Sequence, residues 1–343
     1  MSGGIDSSIA AAILKNKGYE VIGLFFVMHE FSRKNDAQEA ADKLNIPLKI
    51  IDIKREFKKR VIDYFIKEYK TGRTPNPCVE CNRWIKFRYL IEKASKLKVN
   101  YIATGHYVRT KNGKLFTAKD KQKDQSYFLW TLKQKQLKKI LFPIGDYTKK
   151  EIREMAKNLP RRQAGLPAGR QGWDLPVFEK KESQEICFIP DADLRGFLES
   201  QMRAERGSII TVDGKKVGEH KGLAFYTIGQ RKGIEIGGIG PFYVVSKDFK
   251  NNVLIVAKSE YAPELYKKEM IVEKINWISE KPKFPLQCKV KIRYLHPAVS
   301  AIIYKIQNTK YQIRFAKPQR AITPGQSAVF YSRNEVLGGG IIT

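Results

Sequence analysis

Through the N-terminal third of the chain, helical and extended apolar patterns take turns, and this limits the possible folds more than any other feature. Residues 7–17 carry apolar side chains at helical spacing, and 19–28 (YEVIGLFFVM) form an apolar run suited to a buried strand. Further along, the pattern predicts a helix over 36–44, a strand over 47–53, a basic helix over 54–69, a helix over 84–97 and a short strand over 101–104. Strands that alternate with helices pair in parallel, because each helix carries the chain back across one face of the sheet. The expectation is an α/β domain built on a doubly wound parallel sheet with helices on both faces. KNGK, within 107–117, is a two-residue hairpin signal that interrupts the alternation. TKKEIREMAKN opens with Thr148 and has Glu151 three residues later, the pattern of a capping box. From about residue 205 the pattern becomes short extended runs between Gly-rich turns, and from 269 onward CKVKIRYL, AIIYKI, YQIRFA and SAVFY alternate. The predicted organisation is an α/β domain over 1–204, a small β-rich domain over 205–263 and a C-terminal β-barrel over 264–343.

Lys and Arg number 64 against 35 Asp and Glu, a formal net charge of +29. Thermal adaptation raises Glu together with Lys, so this excess points to a polyanionic partner, nucleic acid first and an anionic membrane surface second. No strongly amphipathic, Trp-bearing helix suits a membrane surface, and no apolar run approaches the ~20 residues of a membrane span. The first residues lack the composition of a signal or transit segment. The expectation is a cytoplasmic protein with no membrane partner. Four cysteines, at 78, 81, 187 and 288, are too few for a disulfide scaffold. Structural zinc normally needs two paired knuckles, and only Cys78 and Cys81 are close. Spacing alone leaves zinc, redox and nucleophilic roles open for that pair. Pro75 and Pro77 precede it, which predicts a loop entering a helix from Asn82 onward. Cys288 sits in an alternating segment and reads as a packing residue.

The stretch SGGIDSS places Ser2, Gly3, Gly4, Ile5, Asp6, Ser7 and Ser8 at the predicted start of a helix. Glycines followed by small hydroxyl residues leave backbone N–H groups free to converge, and the helix dipole adds to them, so the loop suits phosphate. It lacks the GK[ST] of a Walker loop. It resembles instead the pyrophosphatase loop of enzymes that cut ATP between the α and β phosphates and adenylate a substrate. Asp6 reads equally well as a helix cap.

Other stretches match one family in order. They are TPNPCVECNRWIKF (74–87), ATGHY (103–107), KDQSYFL (123–129), PIGDYTKKEIREMA (143–156), KKESQEICFIP (180–190), YTIGQRKGI (226–234), VKIRY (290–294) and PGQSAVFY (324–331). Over nearly the whole chain they are similar to the tRNA-specific 2-thiouridylases. The resemblance implies a catalytic domain of the adenine-nucleotide alpha-hydrolase type and a tRNA-uridine 2-sulfurtransferase. In that chemistry ATP, with Mg²⁺, adenylates the 2-carbonyl oxygen of the wobble uridine, and a cysteine persulfide then supplies sulfur. By position, Cys187 is the implied persulfide carrier and Cys81 its partner, the two ending as a disulfide. Cys78 falls where many members have Asp, and a competing Cys78–Cys81 bridge stays open. Lys180 and Lys181 are expected to favour the Cys187 thiolate. Asn76, Pro77 and Cys78 would line the target-base pocket. Ser2 to Ser8, Phe26 and Gly105 would hold the nucleotide. His106 would face the RNA, and Lys123, Asp124, Gln125, Arg293, Tyr294 and Gln326 would contact tRNA. Adjacent strand residues point to opposite faces, so a purely structural reading makes either Arg293 or Tyr294 core. The implied partners are glutamate, lysine and glutamine tRNAs and a cysteine desulfurase or sulfur-relay protein.

Two departures stand out. Family members have an apolar strand before the phosphate loop, which here begins at Ser2, so a first strand is expected to be missing. The segment 160–174, between Leu159-Pro160 and Leu175-Pro176, reads as an insertion dispensable for chemistry. Two other functions fit parts of the sequence: another adenylating pyrophosphatase-loop enzyme, such as an amide-forming ligase, or an RNA-binding protein with an inactive ATP site.

Overall fold

Parallel pairing is what the first part of the chain contains. In the computed structural model, β1 (Gly23–Val27) pairs in parallel with β2 (Leu48–Asp52), and the helix Lys34–Lys43 makes the crossover. β3 (Ile102–Ala103) is followed by an antiparallel hairpin of β4 (Val108–Lys111) and β5 (Lys114–Thr117), and β6 (Ile140–Leu141) returns to pair in parallel with β3. The hairpin turns on Asn112 and Gly113, with φ of 52° and 72°, the left-handed pair of a type I′ turn. The structure describes residues 1–158, 186–234, 236, 241–307 and 309–343. The insertion expected over 160–174, and Lys180 and Lys181, lie outside the described residues.

The chain divides into two units. The first comprises Met1–Val61, Cys78–Phe188 and Asn334–Leu337. Its central helix, Ile5–Asn16, uses small residues to pack on two sides. Ile9 and Ala10 meet Tyr107, Ala118, Ile144, Ile152 and Ala156, and Ala12 meets Ala41, Leu44 and Ile46. Among the described residues β1–β2 and β3–β6 are separate two-stranded sheets. The strand expected over 19–28 is shorter than its apolar run. Residues 19–22 lie outside it and Tyr19 is exposed. The helix over Lys149–Asn158 has the expected capping box. The Thr148 N–H donates to Glu151 Oε2 at 2.5 Å, and the Glu151 N–H donates to Thr148 Oγ1 at 3.2 Å.

The helix bearing two of the cysteines starts earlier than predicted. It runs as Pro77–Glu80, a π-helical segment Cys81–Lys86 and Phe87–Lys96, so both Cys78 and Cys81 are helical. Pro77 occupies the first helical position, where its fixed φ helps and its missing N–H is harmless. The basic helix over 54–69 likewise contains a π-helical turn, Lys58–Ile62, between Lys54–Phe57 and Asp63–Lys70.

The second unit comprises Ile62–Pro77, Ile189–Arg333 and Gly338–Thr343. β7 (Gly207–Thr211), β8 (Lys216–His220), β9 (Tyr243–Asp248) and β10 (Val253–Ala257) form a sheet in the order β8-β7-β10-β9 over a core of Ile209, Leu223, Tyr226, Phe242, Val244, Leu254 and Val256. β11 (Tyr266–Trp277), β12 (Leu286–Lys291), β13 (Val299–Lys305), β14 (Tyr311–Arg320), β15 (Ser327–Ser332) and β16 (Glu335–Ile342) follow. Their order is β11-β14-β13-β12-β15-β16, and β16 pairs back to β11, closing a six-stranded barrel. Closure leaves no exposed barrel edge.

Candidate active site

The phosphate-type loop leads directly into the helix Ile5–Asn16. Gly4 is its N-cap, in an extended conformation, and no side chain caps it. Asp6 therefore does not cap the helix. It lies in the first turn, and its Oδ1 accepts from Lys149 Nζ at 2.7 Å and Tyr107 OH at 2.8 Å. Ser2 Oγ lies 3.1 Å from Ser7 Oγ, and the hydroxyls of Ser7 and Ser8 donate to the Gly4 carbonyl. Two glycines are needed for space. Gly3 has φ +76° and a Cβ there would sit 2.6 Å from Asp36, whereas one on Gly105 would sit 2.7 Å from the Asp6 carbonyl carbon.

These residues surround a cavity of ≈ 660 Å³. Ser2, Asp6, Ser7, Phe26 and Gly105 line it, as do His106, Gln125 and Lys86. His106 was expected to face RNA. It forms part of the cavity wall, 9% exposed, with Nδ1 2.8 Å from Thr104 Oγ1 and its ring 5.6 Å from that of Phe87. Burial first, then the Lys86 charge, holds its pKa well below the usual value, so the imidazole is neutral at pH 7.

Cys78, Cys81 and Cys187 are free thiols close enough to influence one another electrostatically. Cys81 is buried, and burial pushes its thiol up to about 12. Cys78 and Cys187 retain exposed surface. Their surroundings still raise both thiols, but that open surface makes their desolvation milder than that of Cys81. Lys86 opposes the increase at all three. Beside Cys81, buried Asn82 donates to the Phe128 carbonyl at 3.3 Å while its own Oδ1 has no partner among the described residues. Cys288 is apart from this group in β12, and burial pushes its thiol up to about 12.

The predicted RNA contacts divide. Asp124 is buried and accepts from Ala118 N–H at 2.9 Å and Ser126 Oγ at 2.8 Å, so it shapes the turn. Gln125 accepts the Tyr107 N–H at 3.0 Å and lines the cavity, and Lys123 is half-buried. Arg293 and Tyr294 lie beyond β12, which ends at Lys291, so strand alternation does not govern them. Arg293 donates to the carbonyl of Ala321. Gln326 donates to the Thr74 carbonyl at 2.8 Å, fixing the segment that leads into Asn76 and Pro77.

Sequence reading missed three features. Lys86 is one. The second is Lys149, whose ammonium is committed to Asp6. The third is a cluster in which Arg60, Arg83 and Arg88, all exposed, set their guanidinium carbons 4.9, 4.7 and 5.3 Å from the Trp84 ring centroid. Only the charge excess hinted at it, because Arg60 is distant in sequence.

An α/β unit with a phosphate-type loop and nearby free thiols defines a nucleotide-binding class of protein. Residues 1–191 match a family model described as tRNA methyl transferase HUP domain, 195–258 one described as tRNA methyl transferase PRC-barrel domain, and 267–342 one described as aminomethyltransferase beta-barrel domain. The chain is 45% identical to tRNA-specific 2-thiouridylase MnmA 2 of Thermoanaerobacter sp. (strain X514), covering 100% of this chain and 96% of that protein. It is 43% identical to tRNA-specific 2-thiouridylase MnmA of Coxiella burnetii (strain CbuK_Q154), covering 100% and 94%, and 41% identical to that of Proteus mirabilis (strain HI4320), covering 100% and 95%. The chain belongs to the tRNA-specific 2-thiouridylase family.

Proposed function

We propose that this protein binds ATP and tRNA and replaces the 2-oxygen of the wobble uridine with sulfur. The observation that carries this reading is that Cys78, Cys81 and Cys187 are free thiols within reach of the charge of Lys86, a residue that also lines the cavity of the Ser2–Ser8 loop. The residues present suit ATP. The cavity volume, ≈ 660 Å³, falls within the ~300–1,000 Å³ of small-molecule sites, and the loop offers hydroxyls and a helix N-terminus to phosphate. ATP supplies the adenylate that makes the uridine 2-oxygen a leaving group, and Mg²⁺ would accompany its phosphates.

The thiols supply the rest. The outer sulfur of a persulfide on Cys187 attacks C2 of the adenylated base, AMP leaves with the 2-oxygen, and Cys187 is joined to the base through two sulfurs. The Cys81 thiolate then attacks the Cys187 sulfur. A Cys81–Cys187 disulfide forms, the bonding electrons leave with the sulfur on the base, and an external thiol reopens the bridge. The greater exposure of Cys78 supports a second reading, in which Cys78 performs the attack. Glutamate, lysine and glutamine tRNAs are the proposed acceptors, a cysteine desulfurase or sulfur-relay protein the donor, and the cytoplasm the location. No helix among the described residues is long and apolar enough to cross a membrane.

The test uses the chain with ATP, Mg²⁺, unmodified tRNA and a persulfide donor, without reductant. The digested tRNA is analysed for 2-thiouridine and the protein for disulfides. A Cys81–Cys187 bridge that accumulates with product is expected. A Cys78–Cys187 bridge with product would replace Cys81 by Cys78. Product without any bridge, or no product, would defeat the thiol-exchange scheme.

A further inference from the structure

Lys86 closes the π-helical segment that Cys81 opens. In an α-helix, residues five apart face directions about 140° different. The wider π turn, bonded from i to i+5, brings such residues back toward one face. The irregularity therefore turns the Lys86 ammonium toward the side of the helix that carries Cys81. Its charge reaches Cys78, Cys81, Cys187 and His106. Its side chain is also part of the cavity wall, with Ser2, Asp6 and Gly105. No hydrogen bond or ion pair engages Lys86 Nζ among the described residues. Other cations among the described residues are engaged elsewhere: Lys149 is bound to Asp6, Arg60, Arg83 and Arg88 are stacked around Trp84, and the Met1 ammonium, which feels the Lys86 charge, donates to the Leu24 carbonyl.

We propose that Lys86 is the positioning cation of the reaction centre, stabilising the anionic sulfur of the cysteine group and adding positive charge to the cavity lined by the Ser2–Ser8 loop. The part concerning catalysis rests on the sulfur-transfer reading above. The chemistry has two anions to hold together: a thiolate or persulfide, and a phosphate of the nucleotide. One flexible ammonium between them lowers the repulsion of their approach and keeps the sulfur nucleophilic. Among the described residues, the other charged groups acting on the thiols are the thiols themselves, Cys78 and Cys187 each adding negative charge when ionised. A single cation serving several sulfurs therefore favours ionisation of one at a time, which suits successive attack better than simultaneous ionisation.

The test compares the full chain with Lys86→Met, Lys86→Gln and Lys86→Arg. Iodoacetamide modification of Cys78 and Cys187 is followed by mass spectrometry from about pH 6 to about pH 11. The neutral variants should move the midpoint up by about one unit and slow modification at neutral pH about tenfold, and Lys86→Arg should stay near the parent. Formation of 2-thiouridine by Lys86→Gln should fall at neutral pH and recover in part as pH rises. Using two neutral variants separates a charge effect from a folding defect, with melting curves as the control. Superimposable modification profiles in a folded neutral variant would overturn the proposal. The profiles need no tRNA. A parent chain that makes no 2-thiouridine but shows Lys86-dependent thiols would count against sulfur transfer and leave the Lys86 role standing.

Discussion

Cys81 and Cys187 have the same side chain but differ in exposure, Cys81 being buried and Cys187 open to solvent, and that difference governs their reactivity. A thiol near 12 is ionised to only about one part in ten thousand at pH 8. Brief alkylation of the resting protein at that pH should therefore mark Cys78 and Cys187 first and leave Cys81 and Cys288 nearly untouched, as peptide mass spectrometry would show. Cys81 marked as fast as Cys187 would mean that the helix opens. Substitution gives a complementary result: Cys187→Ser should abolish 2-thiouridine, whereas Cys288→Ser should leave it unchanged. The motif order suggested a role for each cysteine, but the sequence could not show that Cys81 is buried, because burial depends on what packs over the helix. Asp124 makes the same point. Its motif suggested an RNA contact, yet its carboxylate is used by Ala118 and Ser126. His106 adds a pH dependence. Its folded pKa lies below the unfolded value of about 6.5, so below that pH the unfolded chain takes up a proton that the folded chain refuses. Stability falls as pH drops through about 6.5. The difference in Tm between the parent and His106→Gln should narrow from about pH 7.5 to about pH 5.5. A constant difference would refute a buried, neutral imidazole.

The elements that the sequence displayed best are those fixed by local chemistry. Asn112-Gly113 marked the hairpin, and Thr148 with Glu151 marked a helix start, because turn and cap preferences act over a few residues. The π-helical segment Cys81–Lys86 had no such signal. One extra residue per turn is stabilised by tertiary packing, and α-helical periodicity would have turned Lys86 away from Cys81. Close approach of backbones is also invisible in sequence, as at Gly105. A methyl group added there would meet the backbone of Asp6 and Ser7, within the phosphate-type loop. Gly105→Ala should raise the ATP concentration needed for half-maximal pyrophosphate release by about five- to a hundredfold, given that overpacking strain is of order 1–3 kcal/mol. Unchanged ATP dependence would show that the loop can shift freely. The parallel sheet provides a further case. Leu24 and Phe25 of β1 and Ile102 and Ala103 of β3 line the same cavity, while each strand pairs only with β2 or β6 among the described residues. Among the described residues each of the two strands therefore has an edge with no strand paired to it. A short apolar strand appended ahead of Met1 should pair there, raise Tm and tighten ATP binding by steadying the loop that follows. If both stay unchanged, the sheet does not accept it.

The +29 charge belongs to the molecule as a whole, and a total does not say where it acts. Lysines scattered over a surface give a diffuse field, whereas Arg60, Arg83 and Arg88 around Trp84 concentrate three guanidinium groups. The indole holds them close despite their repulsion, and Glu80 anchors the indole by accepting its N–H at 2.7 Å. Such a cluster suits phosphates, since a guanidinium can bind two phosphate oxygens at once. The same segment carries Arg83 and Cys81 two residues apart, so RNA drawn to the arginines lies near the helix of the cysteines. Binding of unmodified tRNA, followed by fluorescence anisotropy at several salt concentrations, tests this. Affinity should fall steeply as salt rises, because each neutralised phosphate releases counterions. Replacing the three arginines by Gln should weaken binding at low salt and flatten the log–log slope by about 1 for each arginine that holds a phosphate. An unchanged slope would place the phosphate-binding surface elsewhere and reduce the cluster to a brace for the helix that carries Cys78 and Cys81.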